Sequence, residues 1–354
     1  MKKRTLKLAV FSLMMTAMLF NCKDKDSADP TKPNEDITKA LDDLNLTSPT
    51  LDKPAEVKST AASIEASAKA TEVNGALDGI AASGVVPASV SGAAADVKGA
   101  ISDAEVSTLN GVSAETINAV AAGGTLSPEL KALLDKASSN PALAAYLPKF
   151  TFPTVNGVAL KGGRIAAATE TAARTSASES VDAIEKVTVD DACLAAANAT
   201  FDAAKARFDA SKAAEVVKVT AQYNSDIQPI ATEQTACTAG VTPVFAGYRT
   251  AAQQTASAAI ADLDAAQTVL GPLYPVLKAL VNIQLLGALS SINQLEAAEK
   301  QACIAKATAA TDNAKAAQTA NLAKVDAAYT AALSQATKLR ADALASCHNQ
   351  GGGN

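Results

Sequence analysis

The chain has 354 residues and a formal net charge of −5, and only 3% of its residues are aromatic. The acidic balance, without a dense cluster of Lys and Arg, argues against nucleic acid as a partner and does not favour adhesion to anionic lipid. Alanine accounts for 82 residues, which favours closely packed helices over a core of large side chains, and the length is sufficient for two domains.

The first residues have the pattern of an export signal. Met1–Arg4 and Lys7 supply positive charge, Leu8–Phe20 is an apolar run with two polar interruptions, and the chain becomes strongly polar after Cys22. The run is too short for a spanning helix, which needs about 20 apolar residues. We therefore interpret residues 1–21 as a signal peptide; the alternative, a buried N-terminal helix, leaves the basic start unexplained.

The end of this segment, Leu19-Phe20-Asn21-Cys22, resembles a lipobox, the cleavage site of signal peptidase II. Asn21 stands where the common pattern has Gly or Ala, and the sequence is more similar to the looser lipoboxes of spirochaetal-type lipoproteins. The resemblance covers about the first 30 residues. It implies that Cys22 becomes the N-terminus, carries acyl chains such as palmitate, and anchors the protein in the cell envelope, in the outer membrane, facing the periplasm or the surface.

Without the signal peptide the chain keeps 27 Lys and Arg against 36 Asp and Glu, a net charge of −9. Residues 22–60 combine four prolines with Asp, Lys, Ser and Thr. This composition predicts a disordered tether between the lipid and the folded body; the alternative is a terminal arm packed on that body.

Residues 61–160 are interrupted by nine glycines, eight of them between residues 75 and 124, and predict several short helices. Ser113 and Ser127, the latter followed by Pro128, are expected to begin two of them as N-caps. Leu147–Pro153 should be extended and end this region, and Gly157–Gly163 is a candidate hinge.

Residues 161–347 predict a bundle of long helices. Arg164–Gln228 and Ala288–Cys347 contain neither Gly nor Pro. A spacing of alternately three and four residues, typical of a coiled-coil seam, runs through Leu322, Val325, Tyr329, Ala332, Ala336, Leu339 and Ala343, and a shorter one through Phe201, Ala204 and Phe208. Between these stretches, Pro229, Gly240 and Pro243 should break the chain before a helix over about 245–270, and Gly271-Pro272 marks a turn. Residues 348–354 should be a flexible tail.

Four cysteines remain after Cys22, and an even number in an exported protein predicts disulfides. Cys193 lies 44 residues from Cys237, and Cys303 lies 44 residues from Cys347. A continuous helix would hold each local pair roughly 60 Å apart, whereas a disulfide needs Cα atoms within about 7 Å. Antiparallel helices, which we favour, would link Cys193 with Cys347 and Cys237 with Cys303; parallel helices would link 193 with 303 and 237 with 347.

The sequence predicts no catalytic, cofactor or metal site. The single histidine, His348, lies in the predicted tail, which would hold catalytic geometry badly. Phosphate-loop, zinc-protease and nucleophile-elbow motifs are missing from the sequence, and cysteines this far apart do not have zinc-site spacing.

One segment is a candidate contact surface. Leu273–Ile292 is rich in apolar residues, contains Val276–Leu289, the most apolar stretch after the signal, and is interrupted by Lys278, Asn282 and Gln284. It is either a buried core helix or an exposed apolar tip that binds a partner, a lipid or a membrane. The candidate contact residues are Leu273, Leu277, Leu280, Leu285 and Leu286.

Taken together, the sequence predicts an all-α fold: long Ala-rich helices in an elongated, antiparallel, coiled-coil-like bundle that follows a region of short helices. The predicted function is that of a non-enzymatic, lipid-anchored envelope lipoprotein presenting a helical rod to a protein partner in the envelope or a host, with self-association possible. The alternative is a membrane-acting or lipid-binding protein that uses residues 273–292.

Overall fold

A computed structural model describes residues 32–161 and 191–349. The predicted signal peptide, Cys22, residues 162–190 and the last five residues lie outside these ranges. The described residues divide into two compact units. Unit 1 draws on Met1–Thr50, Thr175–Lys218 and Leu322–Asn354, and unit 2 on Leu51–Arg174 and Val219–Asn321.

The predicted all-α class is confirmed, because helices contain most of the described residues. Three are long, α9 (Asp191–Ile227), α10 (Ile230–Ala265) and α12 (Tyr274–Asn349), so α12 extends two residues into the predicted tail. The short helices are α1 (Glu35–Asp43), α2 (Ala68–Leu77), α3 (Ile80–Ser83), α4 (Ala88–Ala100), α5 (Asp103–Asn110), α6 (Ala114–Ala121), α7 (Pro128–Ser139), α8 (Pro141–Ala144) and α11 (Gln267–Leu270), with a 3-10 turn at Gly271–Leu273.

The predicted break at Gly240 and Pro243 is wrong, because α10 runs through both residues. A proline inside a helix removes one hydrogen bond and costs about 3 kcal/mol. Tertiary packing offsets that cost here: Val241 and Phe245, on either side of the proline, are buried against α12, and Cys237 is bonded to that helix.

In unit 1, α9 and α12 run antiparallel along the predicted seam. Their side-chain partners move in opposite directions along the two helices, from Cys193 with Cys347, through Asn198 with Arg340, to Asp209 with Tyr329 and Lys212 with Asp326. Phe201, Ala204 and Phe208 share one core with Ala332 and Ala336. Val325 and Ala343 are also buried, so the buried residues follow the predicted spacings.

The prediction that residues 22–60 are disordered is wrong from Lys32 onwards. Helix α1 is capped by Asn34 and buries Leu41 completely in the core of unit 1. Arg207 donates from Nη2 to the carbonyl oxygen of Leu41 at 2.8 Å. A composition poor in apolar residues can still be ordered when a distant part of the chain supplies its packing partners.

The next stretch of this arm is held by amide side chains of α12 in unit 2. Asn321, only 2% exposed, donates to the carbonyl oxygen of Asp52 at 2.9 Å and accepts from its amide nitrogen at 2.8 Å. Asn313 donates to the carbonyl oxygen of Ala55 at 2.8 Å. The backbone of residues 52–55 therefore satisfies polar groups of a helix that begins more than 200 residues later.

Short strands in unit 2 join residues 59–65 to residues 149–159. The three-stranded sheet has the order β1 (Ser59–Thr60), β4 (Thr154–Val155), β5 (Val158–Ala159), and β2 (Ser63–Glu65) pairs with β3 (Lys149–Thr151), all antiparallel. The predicted extended segment before Pro153 is therefore a strand.

The structure describes the candidate hinge only as far as residue 161, and the first residues of this part form a turn and a strand. Asn156 and Gly157 both have positive φ, 49° and 81°, and form the two-residue turn between β4 and β5. A two-residue hairpin turn of type I′ needs positive φ at both positions, and Asn-Gly is strongly preferred there. The turn is further held by a bond from the Asn156 amide nitrogen to the carbonyl oxygen of Lys58 at 2.7 Å.

The short helices of unit 2 have the predicted starts. The hydroxyls of Ser113 and Ser127 accept from the amide nitrogens of Thr116 and Leu130, and Pro128 is the first residue of α7. Their apolar residues form one core with α10, α11 and the first part of α12. This core determines the environment of the predicted contact segment.

Candidate apolar cleft

The four cysteines are paired as predicted for antiparallel helices from the equal 44-residue separations. Among the described residues, Cys193 is bonded to Cys347 in unit 1 and Cys237 to Cys303 in unit 2, with Cα–Cα distances of 5.9 and 5.8 Å. Each disulfide therefore links α12 to the antiparallel helix that packs on it. In the same described ranges, no group of three or more His, Cys, Asp or Glu could hold a metal ion.

The interpretation of Leu273–Ile292 as an exposed tip is wrong. Leu277, Leu280, Leu285 and Leu286 are at most 5% exposed, and Leu273 is partly buried against the same core. The physical reason is that the short helices α2 to α8 bury their apolar faces in one core with this segment, α10 and α11. Its alternative interpretation, a buried core helix, is the observed one.

The polar interruptions of this segment have separate environments. Lys278 donates to the hydroxyl of Tyr274 at 3.2 Å, and Asn282 donates from Nδ2 to the carbonyl oxygen of Leu109 at 3.1 Å. Gln284 differs, because its Nε2 is buried without a hydrogen-bond partner in the described part of the chain. By its length and composition, the helical stretch Gln267–Cys347 could cross a membrane. However, 56% of its most apolar 18-residue segment is buried inside the protein, as expected for a core helix.

Gln284 lines a cleft of unit 2 with a volume of about 300 Å³. The walls come from α2, α10 and α12, and Pro148 contributes from the segment before β3. Tyr248 on α10 is 40% exposed and stacks edge to face on Phe245, with ring centroids 5.6 Å apart. The apolar lining includes Ile64, Ala70, Ala252, Val281, Leu285 and Ile292. Of the predicted contact residues, only Leu285 lines this cleft.

The polar side chains of the cleft fall into two groups. Ser67 donates to the carbonyl oxygen of Ala145 at 2.5 Å, and Thr71 donates to that of Ser67 at 2.9 Å, so both hydroxyls are occupied. A second group has no side-chain hydrogen bond to any described residue: Asn74, Tyr248, Thr255 and Gln284. The cleft lining contains no Lys, Arg, Asp or Glu.

A charged network lies one turn beyond the cleft on α12. Glu296 is 8% exposed. Its carboxylate accepts hydrogen bonds from Arg249 and, at 3.0 Å, from Thr242. It also forms an ion pair with Lys300 at 2.7 Å. Arg249 also donates to Asn293 at 2.9 Å. Burial alone would raise the pKa of Glu296, but the hydrogen bonds from Lys300, Arg249 and Thr242 outweigh it and hold the pKa below its ordinary value.

Substituting Glu296→Gln is expected to destabilise unit 2 by about 2–3 kcal/mol at pH 7, because Arg249 would be left partly buried without its counter-charge. The pKa of Glu296 is lower in the folded than in the unfolded chain. Its contribution is therefore present above the unfolded pKa and lost as the pH falls through the folded pKa. Urea unfolding at a series of pH values from 7 to 3 should show that the difference in free energy of unfolding between wild type and variant becomes smaller as the pH falls. The control is Glu115→Gln at an exposed position, and a constant difference at all pH values would contradict the prediction.

Sequence reasoning missed the cleft, because its lining comes from segments far apart in the chain and no local motif marks it. Comparisons with protein-family models, with curated proteins and with solved structures find no match to this chain.

Proposed function

We propose that the chain is a non-enzymatic, lipid-anchored lipoprotein of the cell envelope whose helical body has a binding role. The observation that carries this proposal is the pair of disulfides, each of which joins α12 to an antiparallel Ala-rich helix. The same chain has a signal-like segment in residues 1–21 and a lipobox-like Leu19–Cys22. Disulfides are typical of compartments outside the cytoplasm. Acyl chains on Cys22 would hold the body at the outer membrane, facing either the periplasm or the surface.

The binding role is supported by the cleft of unit 2. Sites for small molecules are concave, mostly apolar and equipped with a few polar groups that fix orientation. The cleft has that character, with four polar side chains that bond to no described residue. The acidic balance of the chain, 36 Asp and Glu against 31 Lys and Arg, disfavours nucleic acid as the partner.

Membrane action through residues 273–292 is less well supported. That segment is in the core of unit 2, so its leucines would reach a bilayer only if unit 2 opened. The envelope binding role requires no such rearrangement, and we therefore prefer it.

Metabolic labelling with an alkyne-tagged palmitate tests the anchor. Wild-type chain expressed in a bacterial host should be labelled and membrane-associated, and Cys22→Ala should lose the label. Asn21→Ala, which moves the lipobox towards the common pattern, is the matched control and should keep or increase the label. Equal labelling of wild type and Cys22→Ala, or none in either wild type or Asn21→Ala, would overturn the lipid anchor.

A further inference from the structure

We propose that the cleft of unit 2 binds an uncharged single-chain amphiphile, a molecule with an apolar chain of about ten carbons and one hydroxyl, ester or amide group. This inference rests on the binding role proposed above and assigns that role a ligand class. It follows from three properties of the cleft: its size, its lack of charge and its unsatisfied hydrogen-bonding groups.

The size selects a short chain. A volume of about 300 Å³ is at the lower end of the range for small-molecule sites. It holds roughly ten groups of about 30 Å³, the volume of one water molecule in the liquid. The walls contain small side chains from α2, α10 and α12, which leave the space open without a large residue to fill it: Ala70, Ala251, Ala252, Ala256 and Ala288.

The lining selects a neutral ligand. A carboxylate or ammonium group transferred into an apolar cleft needs an opposite charge to replace its hydration. No Lys, Arg, Asp or Glu belongs to the lining. Fatty-acid anions and cationic surfactants should therefore bind more weakly than an alcohol of the same chain length.

The unsatisfied groups select a polar head. Gln284 lines the cleft, but its unpartnered Nε2 atom is buried beneath the surface of the cleft and out of reach of a ligand atom. Asn74, Tyr248 and Thr255 offer donors and acceptors in the same cleft. A ligand hydroxyl, ester or amide group that bonds to one of these three side chains gains a hydrogen bond that a pure hydrocarbon cannot make.

Calorimetric titration of the full chain carrying Cys22→Ser tests the proposal without acyl chains or detergent in the sample. The probes are 1-decanol, decanoate and decyltrimethylammonium, each below its solubility or micelle limit. We expect saturable binding of 1-decanol and at least tenfold weaker binding of both ions. Equal or tighter binding of either ion, or no saturable binding of 1-decanol, would overturn the proposal.

Two variants locate the binding. Ala251→Phe, at an exposed position of the cleft, should weaken 1-decanol binding at least tenfold, whereas Ala258→Phe, exposed on the same helix outside the cleft, should not. Thr255→Val, which removes a hydroxyl from an exposed position of the cleft with little change of shape, should bind 1-decanol several-fold more weakly while unfolding at the wild-type temperature, which excludes misfolding as the cause. Unchanged binding in both cleft variants would place the ligand elsewhere and overturn the assignment.

The two proposals fail separately. Absence of palmitate label with intact 1-decanol binding would remove the anchor and keep the cleft. Labelling of Cys22 without 1-decanol binding would keep the anchored lipoprotein and remove this ligand class.

Discussion

Replacing Cys193 and Cys347 together by serine is expected to destabilise unit 1 by about 2–5 kcal/mol. The disulfide closes a loop of 154 residues, and a cross-link over a long loop removes much conformational freedom from the unfolded chain. The inner disulfide Cys237–Cys303 shortens the effective loop, so the effect should be smaller than the separation alone implies. The described part of unit 1 has little else to compensate, because its core cluster there contains only three large buried side chains, Leu41, Phe201 and Phe208.

Hydrogen exchange measured by mass spectrometry on individual peptides distinguishes unfolding of unit 1 from unfolding of unit 2. Peptides from 192–218 and 322–347 should lose protection in the Cys193→Ser/Cys347→Ser variant, while peptides of the unit 2 core should keep it. The matched control is Cys237→Ser/Cys303→Ser, whose loop spans 66 residues and whose loss should act on unit 2. Unchanged protection of both unit 1 peptides would show that helix packing alone maintains this unit.

Truncating Leu286 to alanine is expected to cost unit 2 about 3–5 kcal/mol. The side chain is fully buried in the core formed by the short helices, α10 and α12. Removing it forfeits the transfer free energy of three carbon atoms and leaves a cavity whose walls cannot close completely. The measurement is urea unfolding followed by circular dichroism at pH 7.

Ile304→Ala is the matched control for this substitution. Ile304 is on the same helix but 49% exposed, so its truncation should change the free energy of unfolding by about 0.5 kcal/mol or less. A Leu286→Ala chain as stable as wild type that had lost binding to liposomes would instead restore the interpretation of residues 273–292 as a contact surface.

The helical pairing could be predicted because its signals are local and periodic. The 3-4 spacing from Leu322 to Ala343 indicates which face of α12 is buried, whatever covers it. The equal separations within the two cysteine pairs then favoured one pairing, since helices rise uniformly per residue. Pro243 misled the prediction because a local propensity is weaker than the packing and the disulfide around it.

The arm could not be predicted, because its order comes from partners distant in sequence. Residues 32–60 are too polar to fold alone, and nothing within them indicates that Asn321 will pair with the backbone of Asp52. The same limit applies to the cleft. Asn74, Thr255 and Gln284 belong to three different helices, and their proximity follows from tertiary packing rather than from any motif.

The position of the partners of α1 along the chain also determines when unit 1 can assemble. Helix α1 and its core residue Leu41 precede Phe201 and Phe208 by more than 150 residues and Ala332 by almost 300. A ribosome or a translocation channel releases the chain from its N-terminus, so α1 emerges long before the last part of α12. The core of unit 1 can therefore be completed only after Ala336 has emerged, and a chain that stops before residue 322 lacks Cys347 and one side of this core. The Cys193–Cys347 bond thus forms only in a chain that has been synthesised at least as far as residue 347.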